Sequence, residues 1–267
     1  MLLKNLIDKL TGAISAPAEP MSAHRLSFDA DPAALYAIGD VHGCLDLLRS
    51  LERQIADDAA QLGHEAWVIL LGDVIDRGPA SAQVLDHLLN KPPAGLRRFC
   101  LGGNHEAMML EFMARPRRDS DWLAMGGRET LLSYGIPGQK LLTETSPRAI
   151  GQLLESYIPE EHRIFLDALP VLIETPTMLF SHAGLRPGIP IEKQSTTDLQ
   201  WFRDGFADDF AEFGKIVVHG HTPREQPLVT AHRISIDTGA SNTGRLTAVR
   251  LIPGQPPLIF TAAAGFA

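Results

Sequence analysis

Side chains able to bind metal ions follow apolar, strand-like runs at several points of the chain. Asp40 and His42 come after the run Ala34–Ile38, and Asp73 comes after Trp67–Leu71. Residues i and i+2 of an extended segment point to the same side, so Asp40 and His42 are expected to converge on one ion. Because a carboxylate has two oxygens, we expect Asp73 to bridge this ion to a second one about 3.5–4 Å away.

The second ion has its own predicted ligands, each at a strand-to-loop transition: Asn104, His182 and His221. A single histidine after a strand is more often a hydrogen-bonded structural residue, but the recurrence of such positions along one chain favours a metal centre. Mixed nitrogen and oxygen ligands favour manganese, iron or zinc over magnesium or calcium. The prediction is therefore two divalent ions, with manganese as the first choice and iron or zinc as alternatives.

Four further residues carry the predicted acid–base and phosphate chemistry. His105 adjoins a metal ligand but points elsewhere, so we expect it to protonate the leaving group as general acid. Asp76 would orient this imidazole and raise its pKa, although it could instead simply cap a turn. Arg77 and Arg203 are the predicted phosphate clamps, because the planar guanidinium matches phosphate oxygens. For Arg203 the alternative is a surface ion pair with Asp204.

Composition narrows the class of protein. The chain has 267 residues and a formal net charge of −8, which argues against broad nucleic-acid binding. Its two cysteines, Cys44 and Cys100, are too few for a disulfide framework. The apolar stripe in residues 1–10 is too short to span a bilayer and lacks the long apolar core of a signal peptide. We therefore expect a cytoplasmic protein without stable membrane insertion.

Hydrophobic periodicity predicts the organisation of the chain. Residues 34–101 alternate between strand and helix, which predicts a largely parallel sheet with crossover helices. Residues 105–167 are mostly helical in pattern, and the remainder is rich in short strands, typical of a second sheet packed on the first. We predict a helix and linker tail over residues 1–30 and a single domain over residues 31–263.

The polar segments together resemble the signature of the phosphoprotein phosphatase family of serine/threonine phosphatases, within the metallophosphoesterases, and the bacterial and phage members are the most similar. The segments are GDVHG at Gly39–Gly43, GDVIDRG at Gly72–Gly78, GNHE at Gly103–Glu106, SHAGL at Ser181–Leu185, WFRD at Trp201–Asp204 and HGHTP at His219–Pro223. The resemblance implies an α/β fold, a β-sandwich of two mixed sheets flanked by helices with a helical insertion in the middle. It also implies that a metal-activated water attacks phosphorus directly, with inversion and no phosphoenzyme.

The same resemblance assigns the site residues. It implies that Asp40, His42 and Asp73 bind the first metal, while Asp73, Asn104, His182 and His221 bind the second. His105 and Asp76 match the acid and its partner, Arg77 and Arg203 match the phosphate-binding arginines, and Asn104 is a further expected substrate contact. Pro223 stands where the wider group often has a histidine, so the first metal has fewer protein ligands. His219 is expected in a strand or a supporting position.

The main functional prediction is a phosphomonoesterase that acts on phosphoserine and phosphothreonine in proteins, with phosphotyrosine as a further substrate. Its partner would be a phosphoprotein or phosphopeptide. The alternative is a hydrolase of dinucleoside polyphosphates such as diadenosine tetraphosphate, because that related group shares the metal ligands. Intact Asp76, Arg77 and Glu106 are interpreted as favouring the phosphatase. A non-catalytic binding module is a third hypothesis, disfavoured because no predicted ligand or acid is missing.

Overall fold

The computed structural model describes residues 24–137, 146–203 and 210–264. The predicted apolar helix at residues 1–10 and most of the linker after it lie outside these ranges. Residues Arg25–Ser27, inside the predicted tail, form strand β1, so the tail is not helix and linker throughout. The predicted division of the chain at residues 30 and 31 stays a prediction. Among the residues described, no helix is both long and apolar enough to cross a membrane.

Eleven strands are found in these ranges. They are β1 (Arg25–Ser27), β2 (Leu35–Ile38), β3 (Ala66–Leu70), β4 (Leu96–Cys100), β5 (Leu172–Glu174), β6 (Met178–Ser181), β7 (Ile216–His219), β8 (Leu228–Val229), β9 (Arg233–Ser235), β10 (Arg245–Leu251) and β11 (Leu258–Ala263). One sheet has the order β11-β10-β2-β3-β4 and the other the order β1-β5-β6-β7-β9-β8. Parallel and antiparallel pairs occur in both, so both sheets are mixed.

Eight α-helices within the described ranges connect and cover the sheets. They are α1 (Leu45–Leu62), α2 (Ser81–Leu89), α3 (Asn104–Ala114), α4 (Arg128–Ser133), α5 (Pro147–Tyr157), α6 (Glu160–Asp167), α7 (Thr196–Trp201) and α8 (Ala240–Thr243). A kinked turn, Leu123–Gly127, leads directly into α4. Gly126 within it has φ of 119°, outside the helical range.

Alternation along the central strands explains the layering. Leu35 and Ala37 of β2 join the apolar core between the two sheets, whereas Tyr36 and Ile38 face a second core that contains Leu51 of α1. Successive strand residues point to opposite faces, so one apolar run serves both cores. A third, smaller apolar cluster covers the outer face of the second sheet. The predicted α/β sandwich of two mixed sheets flanked by helices is therefore confirmed.

Candidate metal centre

The predicted site residues lie where strands of both sheets end, and backbone hydrogen bonds fasten these loops to one another. The amide of His42 donates to the carbonyl of Asp73 at 2.9 Å, joining the loops after β2 and β3. The amide of Gly220 donates to the carbonyl of His182 at 2.9 Å, joining the loops after β7 and β6. Ligands commonly bind at the carboxyl ends of strands in such sheets. The two sheets thus present their polar loops to one centre.

Two groups of side chains that could hold a metal ion meet at this centre and share Asp73; the predicted acid, His105, belongs to one of them. The first group contains His42, Asp73 and His105, and the second contains Asp73, His182 and His221; the ligand atoms of each group lie within 4.8 Å of one another. The Oδ2 of Asp73 is 3.1 Å from Nε2 of His182 and 3.8 Å from Nε2 of His42. A shared carboxylate between two groups is the arrangement that a bridging ligand requires.

The imidazole of His182 faces three atoms that can donate lone pairs. Its Nε2 lies 2.9 Å from Oδ1 of Asn104, 3.1 Å from Nδ1 of His221 and 3.1 Å from Oδ2 of Asp73. On its other side, Nδ1 donates to the carbonyl of Leu71 at 2.8 Å, so Nε2 is the nitrogen directed at the centre. Outer hydrogen bonds of this kind fix the orientation of metal-binding histidines. The donor set fits the predicted second ion.

His42 is oriented in the same way. Its Nδ1 donates to the carbonyl of Ile75 at 2.9 Å, which directs Nε2 toward the centre. Burial lowers the pKa of His42 to about 3, so the imidazole is neutral and its lone pair is available. Asp40 lies in neither group of three; its carboxylate accepts from the amide of His221 at 3.1 and 3.2 Å. Asp40 therefore contacts the loop that carries His221, and its carboxyl group interacts electrostatically with Asp73 and His182.

Several carboxyl groups are buried close together at the centre. Burial raises the pKa of Asp40 well above its usual range, and the charges of Asp237 and Asp73 raise it further. Burial and Asp73 together raise the pKa of Glu106 to about 7. Burial opposes ionisation of Asp73 as well, but His182 and other imidazoles outweigh it and hold its pKa well below normal. Bound cations would relieve this repulsion, so the residues fit divalent metal ions.

His105 makes the contact with Asp76 that the sequence predicts. Its Nδ1 is 2.7 Å from Oδ2 of Asp76, and both side chains are completely buried. Burial alone would lower the pKa of His105, but the carboxylates of Asp73 and Asp76 outweigh it and raise that pKa. Trp122 Nε1 and Thr130 Oγ1 donate to the two carboxylate oxygens of Asp76 at 2.7 and 2.6 Å. The helical middle of the chain therefore holds the partner of the predicted acid.

Both predicted phosphate-binding arginines border the centre. Nη1 of Arg77 lies 2.8 Å from Nε2 of His42, and Nη2 lies 3.1 Å from Nε2 of His105. Nε of Arg203 donates to Nε2 of His221 at 2.8 Å. Asp204, the alternative partner of Arg203, lies outside the described residues. The guanidinium groups therefore flank the centre from two sides, which is the placement that a phosphate bridging the metals would need.

Backbone strain is concentrated at the same residues. In residues 24–137, 146–203 and 210–264, the non-glycine residues with positive φ are the following five site residues: His42, Asp73, Asp76, Arg77 and His221. Each such conformation costs on the order of 1–3 kcal/mol and persists only where the surroundings enforce it. Glycines give these residues room, because a Cβ at Gly103 would overlap Oδ1 of Asp73 and one at Gly220 would overlap Oδ1 of Asp40.

Two acidic residues contribute to the site in ways that the sequence analysis did not identify. Glu106 accepts hydrogen bonds from the amides of Asp73 and Gly103, at 2.9 and 2.8 Å, and from those of Val74 and Ile75. It therefore holds the loop that carries Asp73. Asp237 follows β9, is buried, and accepts from the amide of Gly239 at 2.8 Å. The segment Ile234-Ser235-Ile236 followed by Asp237-Thr238-Gly239 places a carboxylate at the end of a strand, as in the earlier motifs, and could have revealed Asp237.

His219 lies in neither metal-binding group. It is the last residue of β7, and its Nε2 accepts from Nε of Arg233 at 3.0 Å. Burial and the Arg233 charge lower the pKa of His219 to about 3. The structure thus places His219 in the strand, beneath the loop that carries His221.

With this geometry established, comparison with known proteins defines the class. Residues 34–261 match the Calcineurin-like phosphoesterase family, and the chain belongs to that family of metallophosphoesterases. The predicted metal-dependent phosphoester hydrolase is confirmed at this level. Divalent metals follow from the family and from the donor sets described above, while the comparison does not specify the metal.

The names of individual relatives specify an activity more narrowly than the family does. A bis(5'-nucleosyl)-tetraphosphatase PrpE [asymmetrical] from Oceanobacillus iheyensis is 25% identical over 233 residues, covering 80% of this chain and 86% of the relative. A symmetrical bis(5'-nucleosyl)-tetraphosphatase from Ectopseudomonas mendocina is 32% identical over 164 residues, covering 51% of this chain and 57% of the relative. A solved structure described as a candidate diadenosine tetraphosphatase has a TM-score of 0.62 at 21% identity and covers 91% of this chain and 100% of that one, which supports the fold.

These relatives overturn the main functional prediction. They are named as tetraphosphatases and not as serine/threonine protein phosphatases, so both the predicted activity on proteins and the predicted phosphoprotein partner are wrong. The residues that were interpreted as favouring a protein phosphatase do not contact the group that distinguishes the two substrates. Glu106 binds the backbone of the Asp73 loop, and Asp76 and Arg77 contact His105. These residues build the phosphoester centre itself and therefore carry no information about what is attached to the phosphate.

Proposed function

We propose that this chain hydrolyses dinucleoside polyphosphates, with a bis(5'-nucleosyl)-tetraphosphate as substrate. The observation that carries the proposal is the similarity to tetraphosphatases over 80% of the chain, in a protein whose predicted metal ligands meet in one centre. The signature that resembles phosphoprotein phosphatases accounts for the phosphoester chemistry, and the substrate comes from the relatives.

The predicted ligands would hold two divalent metal ions, with Asp73 shared between them. When bound, such ions polarise phosphate oxygens and make water a stronger nucleophile at neutral pH. Manganese is our first candidate, because the imidazole, amide and carboxylate donors suit a borderline metal, and iron and zinc are the alternatives.

The protein side chains have distinct proposed tasks. Arg77 and Arg203 bind the non-bridging oxygens of the attacked phosphate and neutralise charge that develops there. His105, oriented by Asp76, gives its proton to the departing oxygen. In a dinucleoside tetraphosphate that oxygen belongs to a phosphate, which is a much weaker base than a serine alkoxide. The demand on His105 is therefore smaller for this substrate than for an alkyl phosphate.

The products identify which phosphoanhydride bond breaks. Water attack that separates the first phosphate from the other three gives AMP and ATP from diadenosine tetraphosphate, whereas attack at the central bond gives two ADP. We propose the first, asymmetrical outcome, because the asymmetrical relatives align over 80% of this chain and the symmetrical one over 51%.

Purified protein reconstituted with manganese tests the proposal. We expect kcat/KM for diadenosine tetraphosphate to exceed that for a phosphothreonine peptide by at least about 100-fold, equivalent to about 2.7 kcal/mol of transition-state stabilisation. Separation of the nucleotides by ion-exchange chromatography then identifies the products. Faster turnover of the phosphopeptide would overturn the substrate assignment. Formation of ADP as the only product would overturn the proposed position of cleavage but not the substrate assignment.

A further inference from the structure

A cavity of about 460 Å³ adjoins the centre, and Arg77 contributes to both. Its lining consists of Arg77, the turn 123–126, Arg128, Glu129 and Asn242. Small-molecule sites commonly have volumes of about 300–1,000 Å³. Because the guanidinium of Arg77 also contacts His42 and His105, a phosphate on that guanidinium would extend its remaining atoms toward this cavity.

The wall of the cavity is attached to the loop that carries Arg77. The amide of Arg77 donates to the carbonyl of Gly126 at 3.3 Å, and Trp122, just before the kinked turn 123–127, donates to the carboxylate of Asp76. Gly126 has φ of 119°, and a Cβ there would lie 2.6 Å from the amide nitrogen of Arg77. The turn and the predicted catalytic loop therefore form one packed unit. The cavity has a fixed position relative to the phosphate-binding site.

The chemistry of the lining suits a nucleotide. Arg77 and Arg128 supply two cations for phosphate oxygens, within a chain whose formal net charge is −8. Asn242 can donate to and accept from hydroxyl and amino groups of a sugar or base, and the Glu129 carboxylate can accept from them. Met125 and Ala124 add apolar surface against which a base can pack. Arg128 and Asn242 are exposed, so their polar atoms are accessible to a ligand.

We infer that this cavity binds one nucleotide arm of the dinucleotide, with Arg128 on its phosphates and Asn242 on its nucleoside. The inference rests on the proposed function and adds to it the residues that select the substrate. Arg77 and Arg128 then contact successive parts of one polyphosphate. Substrates with a single phosphate and no nucleoside reach only Arg77.

The test compares a long substrate with a short one. We expect Arg128→Ala to raise KM for diadenosine tetraphosphate about tenfold, the effect of losing one charge-assisted hydrogen bond. KM for p-nitrophenyl phosphate should rise by no more than about twofold, at least fivefold less than KM for diadenosine tetraphosphate. Arg128→Lys should restore part of the affinity for diadenosine tetraphosphate. Inhibition separates the contacts: Arg128→Ala should weaken inhibition by both ATP and tripolyphosphate, whereas Asn242→Ala should weaken inhibition by ATP only.

Arg117→Ala is the matched control, because Arg117 is exposed, pairs with Glu111 and lies outside the cavity. Thermal melting of each variant shows that the fold is intact. Equal KM changes for both substrates would overturn the inference. If the wild-type enzyme cleaves diadenosine tetraphosphate and Arg128→Ala matches it, only the cavity assignment fails. If the wild-type enzyme does not cleave it, the proposed function fails and the inference with it.

Discussion

The side chains of the metal centre are buried and hydrogen-bonded to backbone, whereas polar side chains of the adjoining cavity face solvent. His182 and Asp73 are no more than 2% exposed and lie on loops fastened to the ends of strands. Arg128 and Asn242 are exposed and lie on the short helices α4 and α8. A change in the centre disturbs many contacts at once. A change in the cavity lining disturbs few, because exposed side chains have few fixed partners.

The contrast teaches where each property of the protein is determined. The chemistry depends on groups held to within a few tenths of an ångström, which requires burial and several partners for each side chain. Substrate choice depends on groups at the rim, which can vary without harming the fold. We therefore expect variants of the centre to affect all phosphoesters, and variants of the cavity to affect dinucleotides selectively.

The largest effect is expected for Asp73→Asn. Because Asp73 belongs to both candidate metal-binding groups, the variant should lose both ions, and its activity should fall by more than about 100-fold. Changing a residue that only hydrogen-bonds to a metal ligand typically costs about 10- to 100-fold, so loss of the shared ligand itself should exceed that. Asp40→Asn should weaken mainly one ion. Metal content by mass spectrometry of the purified proteins checks this, and two ions per chain in both variants would refute the bridging role.

The next effect is expected for His105→Asn. Loss of a general acid typically lowers kcat by roughly 10²–10⁴-fold, with the metals retained. The loss should be greatest for an alkyl phosphate such as phosphoserine and smaller for diadenosine tetraphosphate, whose leaving group is a weaker base. Measuring kcat for both substrates and for p-nitrophenyl phosphate checks the trend. An equal loss for all three would instead indicate that His105 acts by positioning other groups.

Glu106→Gln should damage the frame that holds the centre. Its carboxylate accepts four backbone amides, and a glutamine amide would place a donor against two of them. We expect the free energy of unfolding to fall by about 2–3 kcal/mol, the cost of leaving buried donors unsatisfied. Glu111→Gln is the control, because Glu111 lies on the same helix but is 63% exposed. Equal urea midpoints for the two variants would contradict this role.

The smallest effect is expected for Trp122→Phe. The variant keeps most of the aromatic packing but removes the hydrogen bond from Trp122 to Asp76. Because Thr130 and His105 still bond the Asp76 carboxylate, we expect only part of the orientation of His105 to be lost, about 0.5–1.5 kcal/mol, so kcat should fall about two- to tenfold for every substrate. Comparison of kcat for diadenosine tetraphosphate and p-nitrophenyl phosphate checks that the effect belongs to the centre. A loss confined to the dinucleotide would place Trp122 with the cavity instead.

Much of the fold could be predicted from periodicity. The helix Ser81–Leu89 and the strands Met178–Ser181 and Ile216–His219 each coincide with an unambiguous apolar pattern between turn residues. The pattern did not reveal β11 or β8. Leu258 in β11 is exposed, and β8 has only two residues, so neither has the buried apolar run that indicates a strand. The helical pattern of residues 122–134 does not reveal the kink at Gly126, whose φ of 119° lets the turn lie against Arg77.

Residue types and spacing by themselves indicated the chemistry proposed for this protein: carboxylate, imidazole and amide donors after strands, a shared Asp73, an acid with its partner, and arginines for phosphate. They also indicated the α/β sandwich, because apolar alternation specifies which faces are buried. Only the tertiary structure decided that Glu106 supports the loop of Asp73, that Trp122 holds Asp76, and that Arg128 lines the adjoining cavity. These relationships join residues far apart in the chain, and a pattern read along one chain contains no distance between such residues.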